Sequence, residues 1–354
     1  MLIVDAHLDI AYNVQEYGRD PLITVEQTRL IDPADHPNGQ ATISFPQLRE
    51  AGVELIFATL FALPESAPYA SPAEKFYRDS EGAHRLAMQQ FDYYRRLVDN
   101  EKNHLRLVGD RASLDEVLAS HNGNDQPLLG IVPLMEGADP IRTPEELELW
   151  VEKGLRIVGL AWDDTRYAAG AWRNSKHGLT KEGRTLLEIM NEFNLILDLT
   201  HMSEKASFEA LEQYEGTVVA THSNCRVLVP GERQLSDNQI QAIGERDGVI
   251  GIVLFNGFLR AGYKKGDPKE EVTLDHVVAH IDHICQTLGD ARHVGIGTDM
   301  DGGFGAADIP AELDTTVDLP LIADRLLKSG YEEKDISQIM GGNWVDLLRT
   351  TWRD

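Results

Sequence analysis

Hydrophobic residues are concentrated in eight short runs that recur along the chain and are separated by more polar stretches. The runs are rich in Val, Ile and Leu and nearly continuous, without the strict alternation of a half-exposed strand. Such runs are typical of parallel strands that are buried on both faces. The eight predicted strands cover residues 2–9, 54–63, 128–136, 155–162, 195–202, 217–224, 249–256 and 293–301.

Amphipathic stretches of helix length lie between most of these runs. Residues 143–146 place a threonine N-cap, a first-turn proline and two acids at the start of one predicted helix. Ser236 begins another, and two more cover residues 180–192 and 203–213. Eightfold alternation of strand and helix predicts an α/β fold of the (β/α)8 TIM barrel type.

Two of the connections are longer than a plain barrel requires. Residues 10–53 are rich in Pro and Asp, so we expect an irregular segment there. Residues 64–127 contain a long charged helix from about Pro72 to Asn100, which predicts a helical insertion after strand two. A doubly wound open sheet is the alternative fold, but its phosphate-binding glycine fingerprint does not follow the first strand. We therefore expect one barrel domain over residues 1–354.

Composition and charge narrow the class of function. Of 354 residues, 42% are hydrophobic and 26% charged, as in ordinary globular proteins. Lys and Arg total 33 and Asp and Glu total 58, a formal net charge of −25. This acidity disfavours nucleic-acid binding and attachment to anionic membranes. Two cysteines, the lack of a long apolar run and an N-terminus unlike a signal peptide predict a cytoplasmic protein.

Polar metal-ligating or acidic side chains lie at the ends of five of the predicted strands. In a barrel, the carboxyl ends of the strands form one rim, so these residues should converge on one pocket. Imidazoles and carboxylates together are ligands for zinc and similar metals, and this set is too large for one tetrahedral ion. Two metal ions joined by a bridging ligand would bind more of these side chains, and Glu136 is the candidate bridge. The residues are His7, Asp9, Glu136, His201, His222, Asp299 and Asp301.

The motifs around these residues resemble the membrane dipeptidase (renal dipeptidase) family of metallopeptidases, within the amidohydrolase superfamily. The resemblance runs from the first strand to residues 341–344. Its motifs are His7-Leu8-Asp9, Met135-Glu136-Gly137, Leu199-Thr200-His201, Ala220-Thr221-His222-Ser223 and Gly297-Thr298-Asp299-Met300-Asp301-Gly302.

The resemblance implies a zinc-dependent dipeptidase with two zinc ions and a metal-bridging hydroxide as the nucleophile. It assigns one zinc to His7 and Asp9, the other to His201 and His222, and both to Glu136. It also makes Asp299 the catalytic proton carrier and Arg233 the group that binds the substrate carboxylate. A dipeptide substrate and a homodimer are implied as partners.

One departure from the family pattern concerns the segment after strand four. The resemblance implies a histidine there that stabilises the oxyanion, whereas this chain has Trp162 followed by Asp163. Both are candidate substrate-binding residues. Trp162 motivates a second hypothesis, an amidohydrolase acting on another amide, an N-acyl amino acid or a lactone. A third hypothesis is a catalytically weak barrel kept for binding or assembly.

Two other groups are set aside as reaction centres. His276 and His280 stand four residues apart on a predicted helix, a spacing that can bind zinc, with His283 following. Because the glutamate of a zinc-peptidase helix is missing, we expect solvent-facing histidines instead. Cys225 is expected to be a small buried residue rather than a nucleophile.

Overall fold

The computed structural model describes residues 1–67, 75–172 and 176–352. Each predicted strand overlaps a strand of the structure, and three short strands lie between the second and third predicted ones. In chain order the strands are β1 Ile3–Leu8, β2 Val53–Phe61, β3 Leu63–Pro64, β4 Phe76–Tyr77, β5 Leu105–Leu107, β6 Leu129–Glu136, β7 Ile157–Gly159, β8 Ile196–Asp198, β9 Thr217–Val219, β10 Ile250–Ile252 and β11 Val294–Ile296.

Helices lie in most of the connections between these strands and in the segment after β11. They are α1 Ile10–Tyr17, α2 Val25–Ile31, α3 Phe45–Glu50, α4 Ser80–Asp99, α5 Arg111–Ser120, α6 Leu147–Lys153, α7 Lys181–Glu192, α8 Glu204–Gln213, α9 Asp237–Gly244, α10 Asn256–Leu259, α11 Leu274–Leu288, α12 Pro320–Lys328, α13 Glu333–Ser337 and α14 Asn343–Thr351. None of the helices in the described ranges combines the length and the hydrophobicity that crossing a bilayer requires.

Side-chain caps start several helices where the sequence predicts them. The hydroxyl of Thr180 accepts from the third residue of α7, and Ser203 and Ser236 do the same for α8 and α9. Thr143 makes no such bond; a 3-10 turn over Pro144–Glu146 precedes α6. The long charged helix is α4, which begins at Ser80; the predicted start at Pro72 lies outside the described residues.

The expectation of an irregular segment over residues 10–53 is wrong, because α1, α2 and α3 occupy much of it. Capping explains the difference. A capping box of Thr24 and Gln27 starts α2, and the Ser44 hydroxyl caps α3 just before a first-turn proline. The Pro and Asp residues therefore separate short helices.

The main sheet is parallel, and its strands curl into a half-barrel. Its order is β1-β2-β6-β7-β8-β9, with β5 also paired to β6. The pair β10-β11 continues beyond β9 through a parallel bridge between Ala220 and Ile250. On the other side, the Asp299 amide donates to the His7 carbonyl at 3.2 Å, which connects the segment after β11 to β1.

Apolar side chains pack on both faces of these strands. In β2, Ile56 and Ala58 belong to the large cluster shared with the helices, whereas Leu55 and Phe57 belong to a second cluster with Trp344. Glycines allow close contact inside the sheet, since a Cβ on Gly251 or Gly297 would lie within 2 Å of the Thr221 carbonyl oxygen. Burial on both faces explains the continuous apolar runs of the sequence.

The later strands are shorter than the sequence predicts. The runs predicted over residues 195–202, 217–224, 249–256 and 293–301 form only three paired residues each. The chain leaves the ladder early because the residues that follow bend away, as at His201 and Asp299, whose φ angles are positive. The apolar pattern continues because these turns are themselves buried.

Candidate metal centre

Strand register brings the candidate ligands to one level. Glu136 is paired with Phe61 on one side and with Gly159 on the other, and Gly159 is paired in turn with Asp198. His201, His222 and Asp299 each stand three residues beyond the last paired residue of β8, β9 and β11. The carboxyl ends of the strands therefore present these side chains at the same rim.

The carboxylate of Glu136 lies at the centre of three imidazoles. Its Oε2 is 3.5 Å from His7 Nε2, and its Oε1 is 3.1 Å from His201 Nε2 and 3.5 Å from His222 Nε2. The two Nε2 atoms of His201 and His222 are 3.1 Å apart. All four side chains are buried. One carboxylate thus faces imidazole nitrogens through both of its oxygens, the arrangement expected of a bridging ligand.

The ligand atoms form two adjacent groups that share His7. His7, Glu136 and His222 offer ligand atoms within 4.8 Å of one another, and so do His7, Asp9 and Asp299. His7 Nε2 is buried and has no hydrogen-bond partner of acceptable geometry among the described residues. Nitrogen and carboxylate donors with an unsatisfied buried nitrogen fit a borderline metal such as zinc.

Burial and charge set the protonation of the imidazoles. Burial acts to lower the pKa of His7, but the charges of Glu136 and Asp9 outweigh it and raise that pKa to about 10. Burial and the nearby charge of Arg233 lower the pKa of His201 to about 4. Burial likewise lowers the pKa of His222 well below its ordinary value. Neutral imidazoles are the form that ligates metals, so His201 and His222 are already in that form, whereas His7 must give up a proton when a metal binds.

The pKa values of the carboxylates are also shifted in both directions. Burial alone would raise the pKa of Glu136, but the charge of His7 and hydrogen bonds from the imidazoles hold it below its usual range. Burial, with the charge of Glu136, raises the pKa of Asp9 to about 6. Burial also raises the pKa of Asp299 well above its ordinary value. A buried carboxyl group with a raised pKa is suited to proton transfer.

Three of the strand-end residues also have an unusual backbone conformation. His201, Asp299 and Asp301 have φ angles of 67°, 56° and 62°, in the left-handed region that non-glycine residues rarely adopt. Glycine is required beside them, because a Cβ on Gly302 would lie 1.9 Å from Asp299 Oδ1. Such strained residues concentrate at functional sites.

Two buried aspartates, which the sequence analysis missed, support the imidazoles. Asp198 accepts hydrogen bonds from the amide of Thr221 at 3.0 Å and from its hydroxyl at 2.5 Å. The Thr221 oxygen is in turn 3.3 Å from His7 Nδ1 and 3.1 Å from His222 Nδ1. Asp198 and Thr221 therefore orient both rings from behind, as outer partners of metal ligands commonly do.

Asp5 supports the centre in a similar way, because its hydrogen bonds connect β1 to the segment after β11. Its carboxylate accepts from the amide and hydroxyl of Thr298, at 2.8 and 2.6 Å, and from the amide of His7 at 3.3 Å. Burial raises its pKa to about 6. The available signal was an acid inside an apolar strand, which applies to Asp5 and Asp198 alike.

Arg233 lies beside the His201 and His222 half of the cluster. Its Nη2 donates to the His222 carbonyl at 2.8 Å and is 3.3 Å from His201 Nε2. The guanidinium also lies over the Phe258 ring, 5.3 Å from its centroid. Burial lowers its pKa to about 10. The side chain is therefore buried against the centre and not in the surface loop that its polar neighbours suggest.

The structure places the two predicted substrate-binding residues differently. The ring of Trp162 is 6.0 Å from that of His201 and 5.1 Å from that of Phe61, so it borders the centre. Asp163 is buried, and the pKa of Tyr77 is raised chiefly by burial, then by Asp139 and to a smaller extent by the charge of Asp163. Asp301, named with the strand-end acids, accepts hydrogen bonds from Thr42 instead of joining the metal groups.

Trp172 contacts the centre, although no sequence motif indicates such a position. Its indole Nε1 donates to His201 Nδ1 at 3.2 Å, and its ring lies 6.1 Å from that of Phe258. In the sequence, it belongs to the connection between β7 and α7 and is far from the strand-end motifs. Proximity of this kind depends on the path of a loop, which no motif predicts.

The helix histidines differ from the expectation that all face solvent. His280 is fully buried; its Nδ1 accepts from the Cys225 amide at 3.1 Å, and its Nε2 is 3.2 Å from the Leu259 carbonyl. It satisfies two backbone groups of neighbouring segments, which explains its burial. Cys225 is buried as expected, and burial raises the pKa of its thiol.

Comparisons with known proteins agree with this geometry. The sequence profile of the membrane dipeptidase family (peptidase family M19) matches residues 1–352. An uncharacterised protein from Klebsiella pneumoniae, encoded in the pqqA 5′ region, is 29% identical over 276 residues, 76% of this chain and 97% of that protein. The dipeptidase tcpJ of Claviceps purpurea is 27% identical over 76% of this chain, which spans only 62% of that relative.

A solved structure shares both fold and sequence with the chain. It is a metallopeptidase from Rhodobacter sphaeroides, bound to a phosphinate mimic of the dipeptide L-Ala-D-Ala, with a TM-score of 0.81 and 25% identity. The match covers 99% of each chain. The chain belongs to the membrane dipeptidase family, and it is a hydrolase of the metallo-dipeptidase class.

Proposed function

We propose that the protein hydrolyses the peptide bond of small dipeptides at a centre of two zinc ions. The main support for this proposal is the position of the Glu136 carboxylate. Three imidazole nitrogens lie 3.1 to 3.5 Å from its oxygens. His7 and Asp9 would hold one ion, His201 and His222 the other, and Glu136 both. When bound, such an ion pair supplies a hydroxide nucleophile near neutral pH and polarises the amide carbonyl.

Asp299 is the residue we assign to proton transfer. Its carboxylate shares a ligand group with His7 and Asp9, and its pKa is raised well above the ordinary value, chiefly by burial. It can therefore accept a proton from the nucleophile and deliver it to the leaving amine. The backbone hydrogen bond from Asp299 to His7 holds it at this position.

Arg233 is the residue we assign to the carboxylate of the substrate. Its guanidinium is buried beside His201 and His222, where a planar fork can bind a carboxylate with two hydrogen bonds. We expect Arg233→Met to raise KM for dipeptides about 10- to 100-fold, the worth of a charge-assisted hydrogen bond. KM for the matching dipeptide amides should change little. An equal effect on both substrates would contradict the assignment.

Dipeptides with a D-residue at the C-terminal side are included in the proposed substrate range, supported by the L-Ala-D-Ala mimic bound to the Rhodobacter relative. Trp162 favours a second candidate, hydrolysis of another amide, an N-acyl amino acid or a lactone, because an indole stands where the resemblance implies a histidine. A panel of L,L- and L,D-dipeptides, N-acyl amino acids and lactones, assayed with zinc, decides between them. Turnover of lactones alone would refute the dipeptidase proposal.

We also propose how the strands close and how the chain is organised as a whole. We infer that the eight predicted strands form a single (β/α)8 barrel and that α4 belongs to an insertion after β2. The bridge between Ala220 and Ile250 and the hydrogen bond from Asp299 to His7 support this inference. We further propose one domain over residues 1–354, a cytoplasmic location, supported by the free thiols of Cys225 and Cys285, and a homodimer. Sedimentation analysis measures the last directly.

A further inference from the structure

A small cavity lies next to the candidate metal centre, between the segments that follow β1 and β11. Its volume is about 20 Å³, enough for one water molecule. Polar and charged side chains form part of its lining, including Asp9, Asn13, Arg19 and Asp301. Asp9 is the one candidate metal ligand among the residues that line this cavity.

Two buried polar atoms remain unsatisfied at this cavity. Asn13 Oδ1 and Arg19 Nη1 have no hydrogen-bond partner among the described residues, although the two side chains are only 5% and 6% exposed. Both Nδ2 protons of Asn13 are used, on the carbonyls of Asp9 and Asp301, each at 3.0 Å. Arg19 directs Nε to Asp32 and Nη2 to His36. Oδ1 and Nη1 are therefore the groups left for the cavity.

Asp301 supplies the third group. Its Oδ1 accepts from the amide and the hydroxyl of Thr42, at 2.9 and 2.7 Å. Its Oδ2 is 3.4 Å from Arg19 Nη1, longer than the roughly 2.7–2.9 Å of a charge-assisted hydrogen bond. A water that accepts from Arg19 and donates to Asn13 Oδ1 and Asp301 Oδ2 would make three hydrogen bonds, the usual number for a buried water.

We propose that this cavity binds one ordered water and that the cluster of Asn13, Arg19, Asp301 and this water is a positioning device for the metal centre. Asn13 joins the carbonyl of Asp9 to that of Asp301, two residues beyond Asp299. The cluster thereby fixes the distance between the strand ends that carry Asp9 and Asp299. The positioning role rests on the proposed metal function; the water site does not.

The variant Arg19→Met tests the positioning role. It removes the donor to the water and keeps a side chain of similar length. We expect one of the two zinc equivalents to bind about 10- to 100-fold more weakly, as for other outer partners of metal ligands, and the second to be unchanged. Competition with a chromophoric chelator measures both affinities. Arg78→Met, at an exposed arginine paired with Glu65, is the matched control and should leave both unchanged.

A near-isosteric variant covers the case in which Arg19→Met does not fold. Asn13→Asp keeps the size of the side chain but removes the two donors that join Asp9 to Asp301, and the same selective loss of zinc affinity is expected. Wild-type affinity for both equivalents in a folded variant, or an equal loss of both, would overturn the positioning role.

A high-resolution crystal structure of the wild-type protein tests the water directly. Density for a water within hydrogen-bond distance of Asn13 Oδ1, Arg19 Nη1 and Asp301 Oδ2 is the expected result, and a dry cavity would overturn the site. If the wild-type protein binds no zinc, the proposed function and the positioning role both fail. The crystallographic result separates that outcome from failure of the water site.

Discussion

Glu136 holds the centre together at the scale of single residues, since its carboxylate contacts imidazoles from three different strand ends. We expect Glu136→Gln to reduce bound zinc from two equivalents to one or none and to lower turnover by about 100-fold or more. Glu65→Gln, at an exposed glutamate, serves as the matched control. Elemental analysis of both variants checks the prediction, and two tightly bound zinc ions in Glu136→Gln would disprove the bridging role.

Trp172 allows metal binding to be observed optically. An indole N–H can only donate, so its hydrogen bond requires His201 Nδ1 to lack a proton. Zinc ligation through His201 Nε2 requires the opposite tautomer, with the proton on Nδ1. We therefore expect zinc to displace the indole and change the tryptophan fluorescence.

The fluorescence change should be markedly smaller in Trp172→Phe, where only Trp162 borders the centre, and should persist unchanged in Trp352→Phe, the matched control at a distant indole. Fluorescence titration with zinc measures it. An identical change in all three proteins would show that Trp172 is not the reporter.

The candidate ligands could be predicted from the sequence because each is a polar residue where an apolar run ends, as at His201 and His222. Their partners could not. Thr221 is an ordinary strand-end residue until its hydroxyl is seen between two imidazoles, and Trp172 comes from a loop whose path the sequence does not specify. Arg233 has only polar neighbours in the sequence, so its burial was invisible without the family resemblance.

At the scale of elements, α11 carries a titratable group that links it to the segments after β9 and β10. His280 donates to the Leu259 carbonyl and accepts from the Cys225 amide, which requires the neutral ring. Burial lowers its pKa from 6.5 to about 4. The unfolded chain therefore takes up the proton first as the pH falls. The contribution of His280 to stability is complete above pH 6.5 and is lost as the pH falls towards 4.

We expect this residue to cost about 2 kcal/mol of the unfolding free energy between pH 7 and pH 5. His280→Gln can form both hydrogen bonds without titrating, so its stability should fall less over that range. His276→Gln, on the same helix, keeps a residue suited to the capping box and should behave like the wild type. Denaturant unfolding at both pH values measures the difference. Equal pH dependence in all three proteins would contradict the assignment.

The positions of the elements were predictable to the extent that burial determines them. Each of the eight apolar runs contains a strand, because a run of buried Val, Ile and Leu has few other uses in an α/β fold. Strand lengths were not predictable, since buried turns are as apolar as strands. The helices α1, α2 and α3 were missed because their short lengths leave little periodicity, even though Thr24 and Ser44 are good caps.

At the scale of the whole molecule, the metal centre should also act as a structural link. The residues proposed to hold zinc come from the ends of β1, β6, β8 and β9, so bound zinc would join distant parts of the chain. A ligand that binds only the folded state stabilises it by about 2.7 kcal/mol per site at 100 times its Kd. The unfolding temperature should rise with free zinc and fall with chelator. An unfolding temperature that is insensitive to both would argue against a preformed site.

One coupled measurement decides whether these strand ends hold a dinuclear hydrolytic centre. The purified protein is analysed for bound metal, and the same sample is assayed on a dipeptide panel before and after chelation and after zinc is restored. We expect two zinc equivalents per chain, and dipeptide hydrolysis that is lost when the metal is removed and regained when it is restored. Dipeptide hydrolysis that persists without metal, or two bound zinc ions with no dipeptide hydrolysed, would contradict it.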